Sequence, residues 1–202
     1  MKTFDYSSEG RQQTYPLHYW IRKQGSEYVE RIYDLMKNEI TDKHEFFNRE
    51  DEQGNTPMHI FAAFNGDKPN TIVNAEYMLT QGSSLNALNN EGNTPLHEWA
   101  NMYKYLIDST MNIEVKPFSN MPYSTLKASM PFLGWMVMNG AKLDIENNKH
   151  TTALDLITQF APKDVRVDEK LMKEAYNYWR ETGKTKELKE KNTNEKGCCI
   201  MM

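Results

Sequence analysis

Apolar residues recur at helical spacing along most of the chain, and turn-forming residues separate these stretches. The clearest stripe lies in 168–182, where Leu171, Ala175 and Trp179 recur every four residues. The same periodicity predicts further helices over these ranges: 28–37, 57–64, 71–81, 94–107 and 132–139. The pattern therefore predicts an all-α protein built from pairs of short helices.

One phrase marks the start of several of these helices. Gly54-Asn55-Thr56-Pro57-Met58-His59 returns as Gly92-Asn93-Thr94-Pro95-Leu96-His97. Thr offers an oxygen to cap the first free N–H groups, and Pro at the next position already has a helical φ. Thr14-Tyr15-Pro16-Leu17-His18 carries Thr, Pro, Leu and His in the same order, whereas His150-Thr151-Thr152-Ala153-Leu154-Asp155 keeps only Thr and Leu. We expect four related units.

This phrase resembles the Gly-x-Thr-Pro-Leu-His signature of ankyrin repeats, whose period is roughly 33 residues. The resemblance implies an ankyrin-repeat solenoid over 14–182, in which helix-turn-helix units stack in a row. About four units are expected: 14–53, 54–91, 92–149 and 150–182. Gly82 and Gly183 are expected to end second helices, and Asp168 to cap the last one.

The third unit is longer than the others. Its segment 108–128 contains Pro117 and Pro122, and the helical pattern returns only near Phe132. We interpret 108–128 as an insertion that adds about 25 residues to a ~33-residue unit. Outside the array, 1–13 shows no period and is expected to be a flexible lead or a partial cap. The tail 183–202 is expected to be disordered, because its charged stretch has too little apolar content to fold.

Composition limits the partners. Among 202 residues the formal net charge is -4, which argues against nucleic acid because phosphate binding needs a basic field. No stretch has the ~20 apolar residues of a membrane span, and 1–10 lacks the apolar core of a signal peptide. The two cysteines stand together near the C-terminus, so the pattern favours a reducing compartment.

The tail carries a candidate lipidation site. Cys199-Ile200-Met201-Met202 matches the Cys-aliphatic-aliphatic-x prenylation box, and terminal Met favours a farnesyl group. A single lipid chain gives only marginal membrane residence, and Cys198 could take a palmitoyl group as the second signal. The alternative is a chance cysteine near the chain end.

Three histidines, His18, His59 and His97, recur at one position of the repeat. A zinc site would need their nitrogens within ~2.1 Å of one point, whereas stacked units are roughly 10 Å apart. A structural role is therefore favoured, and no metal or cofactor is expected. Serine-hydrolase, phosphate-loop and HExxH motifs are absent, so we expect no enzyme activity. The alternative is an enzyme that uses the insertion, where Asp108 and Glu114 could titrate.

Partners of ankyrin repeats usually contact the loop tips and the first helix of each unit. The resemblance therefore implies a protein-binding surface made of Glu50, Asp51, Glu52, Asn89, Asn90, Glu91 and Asn148 in the loops, with Arg22, Phe64 and Met102 on helices. Because these tips are acidic or amide, a partner with a basic patch is the natural complement. The protein itself is expected to be a monomer.

Ankyrin repeats together with a prenylation box resemble effectors that intracellular bacteria such as Legionella inject into host cells. That resemblance implies a non-enzymatic module of type IV secretion origin, which holds a host protein at the cytosolic face of a host membrane. The alternative is a soluble, cytoplasmic ankyrin scaffold or inhibitor without lipid.

Overall fold

The computed structural model describes residues 15–24, 29, 33–34, 37–38, 40, 42–65, 71–111, 121–161, 163 and 165–183. Eight helices lie in this part of the chain: α1 Pro16–Gln24, α2 Lys43–Asn48, α3 Pro57–Asn65, α4 Thr71–Thr80, α5 Pro95–Met111, α6 Met121–Met138, α7 Ala153–Phe160 and α8 Glu169–Thr182. Within the same residues there is no strand, only one isolated bridge between Glu146 and Thr152. The all-α prediction is confirmed.

The helices form two rows. In the first row α1 packs against α3, α3 against α5, and α5 against α7. In the second row α4 contacts α6, and α6 packs along α8. The leucine position of the repeated phrase lies inside the first row, where Leu17, Met58 and Leu96 are buried and Leu154 is partly buried. Apolar side chains of successive helices in the first row are thus buried between these helices.

Local capping chemistry sets several helix ends. Thr152 and Asp155 form a reciprocal capping box at the start of α7. At α8, the Asp168 side chain accepts a hydrogen bond from the Leu171 N–H, and Gly183 ends the helix. The predicted cap and stop of this last helix are confirmed.

Every described residue of the predicted insertion 108–128 is helical. Helix α5 has 17 residues against nine in α3, and α6 has 18 against ten in α4. Each helix of the third unit is therefore eight residues longer, or roughly 12 Å at 1.5 Å per residue. Pro122 does not break α6 because it is the second residue of the helix, where the N–H has no intrahelical partner. Residues 112–120 lie outside the described part.

The charged stretch 38–53, which lies in the first predicted unit, contains α2. Asp42 caps this helix through a 3.0 Å bond from the Glu45 N–H. The buried Phe47 anchors it, with ring centroids 5.6 Å from Tyr33 and 6.2 Å from Tyr77. These contacts hold the helix against the core although most of its residues are polar.

Several predictions fall outside the described residues. They include the lead 1–13, most of the helix 28–37, and the tail beyond Gly183 with Cys198 and Cys199. In the described part, no helix combines the length and apolar content that crossing a membrane requires.

Candidate protein-binding edge

Three loops of the same shape precede α3, α5 and α7. We name them loop 1 (51–55), loop 2 (89–93) and loop 3 (147–151). In each, the N–H of the first residue donates to the carbonyl of the fifth, at 2.9, 3.0 and 3.1 Å. The first residues are Asp51, Asn89 and Asn147, and each side-chain oxygen accepts two N–H groups of its own loop. The loops therefore owe their shape to one short polar side chain at the same position.

Hydrogen bonds join each loop to the next. The Asn90 N–H donates to the Gln53 carbonyl at 3.0 Å, and the Asn148 N–H donates to the Glu91 carbonyl at 3.0 Å. The side chains of Asn90 and Asn148 add one bond each to the preceding loop, at 3.1 Å. As a result the three loops form one continuous edge of the molecule.

A row of amides and one carboxylate supports this edge from beneath. Asn89 donates to Asn55 at 2.8 Å, and Asn147 donates to Asn93 at 2.8 Å. Asn89 and Asn93 both donate to Oε1 of Glu98, at 2.9 and 2.8 Å. Because these groups are half-buried or buried, their mutual bonds avoid the cost of unpaired polar atoms.

The repeated histidines bind the loop of the next unit. The Nε2–H groups of His18, His59 and His97 donate to the carbonyls of Asn55, Asn93 and Thr151, at 2.7, 2.9 and 3.0 Å. Burial is the main cause that lowers the pKa of His18 to about 4, and burial also lowers the pKa of His59 and of His97. All three rings are therefore neutral near pH 7.

The residues predicted to bind a partner divide into two groups. Glu50, Glu52, Asn90, Glu91 and Asn148 are exposed along the loop edge. In contrast, the Asp51 side chain is only 7% exposed, lies 3.7 Å from Arg22 and shapes loop 1. Asn89 is half-buried and shapes loop 2 in the same way. The structure thus brings the loop residues together but gives two of them an internal role.

The predicted helix residues are also accessible to different degrees. Arg22 is exposed at the end of α1, Phe64 is 40% exposed near the end of α3, and Met102 is half-buried on α5. Phe64 and Met102 lie at the same position of successive units, five residues after the histidine. Because α3 packs against α5, these two side chains belong to neighbouring helices of the first row.

Three exposed residues were missed by sequence reasoning: two lie in or beside the loops and one lies farther along α5. Leu88, just before loop 2, is 52% exposed, and Tyr105 on the extended part of α5 is 65% exposed. Lys149 in loop 3 is exposed and lies 3.7 Å from Glu91. Loops 1 and 2 contain acidic side chains and loop 3 contains the cation Lys149, while Arg22 lies beside loop 1.

The described residues offer little for metal chemistry. Among them, no three His, Cys, Asp or Glu side chains come together as a metal site requires. The three repeated histidines use their ring nitrogens in structural hydrogen bonds. The surface of this region is a polar, hydrogen-bonded edge with the exposed Leu88 beside loop 2.

Comparison with family models finds none that matches this chain, and a search of curated proteins finds no match.

Proposed function

We propose that this chain is an ankyrin-type interaction module that binds a protein partner along its loop edge and is tethered to a host membrane by a lipid on Cys199. The observation that carries the binding part is the continuity of loops 1 to 3, since bonds between units hold the exposed Glu52, Asn90, Glu91 and Asn148 in one row. A preformed row binds with less ordering cost than separate mobile loops.

The sign of charge along the edge supports a partner with a basic patch. Glu50 and Glu52 are exposed in and beside loop 1, and Glu91 is exposed in loop 2. Charges at the rim of an interface mainly steer association and exclude partners of like charge. Phe64 supplies an exposed apolar anchor near the same units, as interface cores require.

Charge reversal at the edge tests the binding proposal. We expect the triple substitution Glu50→Lys, Glu52→Lys and Glu91→Lys to reduce proximity labelling of the partners of the intact chain roughly tenfold, because like charges then meet. The matched control reverses three charges on the second row of helices: Glu76→Lys, Glu174→Lys and Glu181→Lys. Equal loss in both triple variants, or loss in neither, would refute the loop edge as the binding surface.

Lipidation needs its own test. In cells with prenyltransferases, we expect Cys199→Ser to move the protein from the membrane fraction to the soluble fraction and to remove an isoprenoid from its mass. Cys198→Ser keeps the prenylation box and should keep the isoprenoid. An intact protein without added isoprenoid would leave a soluble ankyrin scaffold as the function.

A further inference from the structure

The last unit differs from the others at the histidine position of the repeated phrase. Asp155 stands in α7 where His97 stands in α5. The Thr152 N–H and Oγ1–H donate to Oδ2 of Asp155, at 3.1 and 2.7 Å. In α5 the Nδ1 atom of His97 takes the same place, 3.1 Å from the Thr94 nitrogen and 2.8 Å from its Oγ1. Nδ1 of His97 therefore accepts the hydrogen bond from the Thr94 N–H, as the Asp155 carboxylate accepts one from the Thr152 N–H.

The second ring nitrogen has a different task. Nε2 of His59 reaches the Asn93 carbonyl, and Nε2 of His97 reaches the Thr151 carbonyl, in each case in the loop of the following unit. Among the four repeated phrases only the last has Asp, and in the described residues no further loop of this kind follows α7. Histidine therefore occurs in the units whose ring bonds the loop of a following unit.

These bonds determine the protonation state of the rings. A carbonyl only accepts, so Nε2 carries the hydrogen; a backbone N–H only donates, so Nδ1 of His59 and of His97 is bare. A second proton would place an N–H on Nδ1 against the N–H of Thr56 or Thr94, and would put a charge in a buried site. Both effects disfavour the charged ring in place.

Nearby carboxylates do not offset the cost of burying a charged imidazole. His18 faces Asp51 and also Arg22, which acts in the opposite direction. His59 faces Asp51 and Glu98, and His97 faces Glu98. Although these carboxylates favour a charged imidazole, burial outweighs them and the pKa of each histidine stays below its ordinary value.

We propose that His59 and His97 are acid-sensitive couplings between units, so that acidification opens the joints at loops 2 and 3 while the helix pairs stay folded. A charged ring regains hydration only by leaving its site, and its hydrogen bond to the carbonyl of the next loop then breaks. Asn90 and Asn148, whose backbone N–H groups bond the preceding loop, are exposed, so their amides report directly on separation of the loops. Units of a stack can open locally in this way.

Residue-resolved hydrogen exchange on the full chain at pH 7 and pH 5 tests this proposal, with rates corrected for intrinsic exchange. We expect the amides of Asn90 and Asn148 to lose at least about tenfold more protection at pH 5 than that of Met172, which bonds Asp168 within α8. His44→Gln, at an exposed histidine, is the control and should leave this difference unchanged.

Two further measurements test whether protonation of His59 and His97 causes the loss of protection. The double variant His59→Gln and His97→Gln lacks the titrating rings, and its loop amides should show the same protection at both pH values. Ring nitrogen shifts of the unsubstituted chain report the charge directly. Charged rings with fully protected loops, or equal loss of protection in loops and helices, would overturn the proposal.

Discussion

The fourth residue of each loop has the same unusual backbone conformation in all three units. Gly54, Gly92 and His150 have φ angles of 76°, 72° and 55°. A Cβ atom on Gly92 would lie 2.6 Å from Oδ1 of Asn148, so glycine is needed there for space as well as for φ. In the described residues no later loop packs against loop 3. At His150 the unfavourable φ angle is therefore the cost, without the steric conflict found at Gly92.

We therefore expect His150→Gly to raise the free energy of unfolding by about 1 kcal/mol, because a left-handed conformation costs an L-residue roughly 1–2 kcal/mol. The exposed contact of His150 with Glu146 at 3.4 Å is worth little at the surface. Urea denaturation of both proteins at pH 7 measures the difference.

Gly92→Ala, at the equivalent position of loop 2, introduces a Cβ atom where His150→Gly removes one. We expect it to lower the free energy of unfolding by about 2 kcal/mol or more, because strain at φ 72° adds to the close approach of Asn148. If both substitutions shift the urea midpoint in the same direction, the three loops do not share one backbone requirement.

At the scale of helices, sequence located α3, α4 and α8 to within one residue at each end but missed the start of α6 and the end of α5. The caps at Thr152 and Asp168 involve partners only three residues away, so the pattern alone locates α7 and α8. The extension of α5 and α6 was missed because 108–128, which contains Pro117 and Pro122, was interpreted as an insertion. Helix α2 was missed because its burial depends on Tyr77, 30 residues from Phe47.

Gly134 tests the contact between α6 and α8. Helix propensity alone predicts that Gly134→Ala stabilises the protein by about 1 kcal/mol. A Cβ there would lie 2.0 Å from the Met172 carbonyl oxygen and 2.8 Å from Cβ of Tyr176. Because α8 would have to move away, we expect a net loss of about 2 kcal/mol in the free energy of unfolding.

Thermal and urea unfolding measure this change. Ala128→Leu serves as the control because Ala128 is exposed on the same helix, and it should change the stability by less than about 0.5 kcal/mol. A stabilised Gly134→Ala protein would mean that the two helices do not approach this closely.

For the whole molecule, the three buried histidines make stability depend on pH. Each binds a proton more readily in the unfolded chain, where its pKa is 6.5, than in the fold, where the pKa is lowered. The full contribution is present above pH 6.5 and is lost as pH falls toward the folded pKa, about 4 for His18. Unfolding in this window takes up protons.

We expect the free energy of unfolding to fall between pH 7 and pH 4.5, by up to about 1.4 kcal/mol per pH unit for each histidine. Asp155, whose pKa is lowered by its bonds to Thr152, acts only below about 3.8 and does not mask the effect. Urea titrations at four pH values measure the slope, and His97→Gln should make it shallower. A flat profile would contradict neutral, buried rings.

The amino-acid sequence by itself determined where α7 and α8 begin and how each loop turns. Thr152 with Asp155, Asp168 with Leu171, and Asn89 with Asn93 are pairs within five residues of one another, so their chemistry can be recognised in a short window. The repeated phrase likewise located the histidines, and the glycines were expected at the turns.

Only the tertiary structure decided which of these side chains face a partner and what charge the histidines carry. Asp51 and Glu52 are neighbours in sequence, yet one shapes loop 1 and the other is exposed. The His97 ring is neutral because it is buried against a carbonyl 54 residues away. Burial and contact between distant residues set exposure and protonation, and neither quantity is a property of a short stretch of chain.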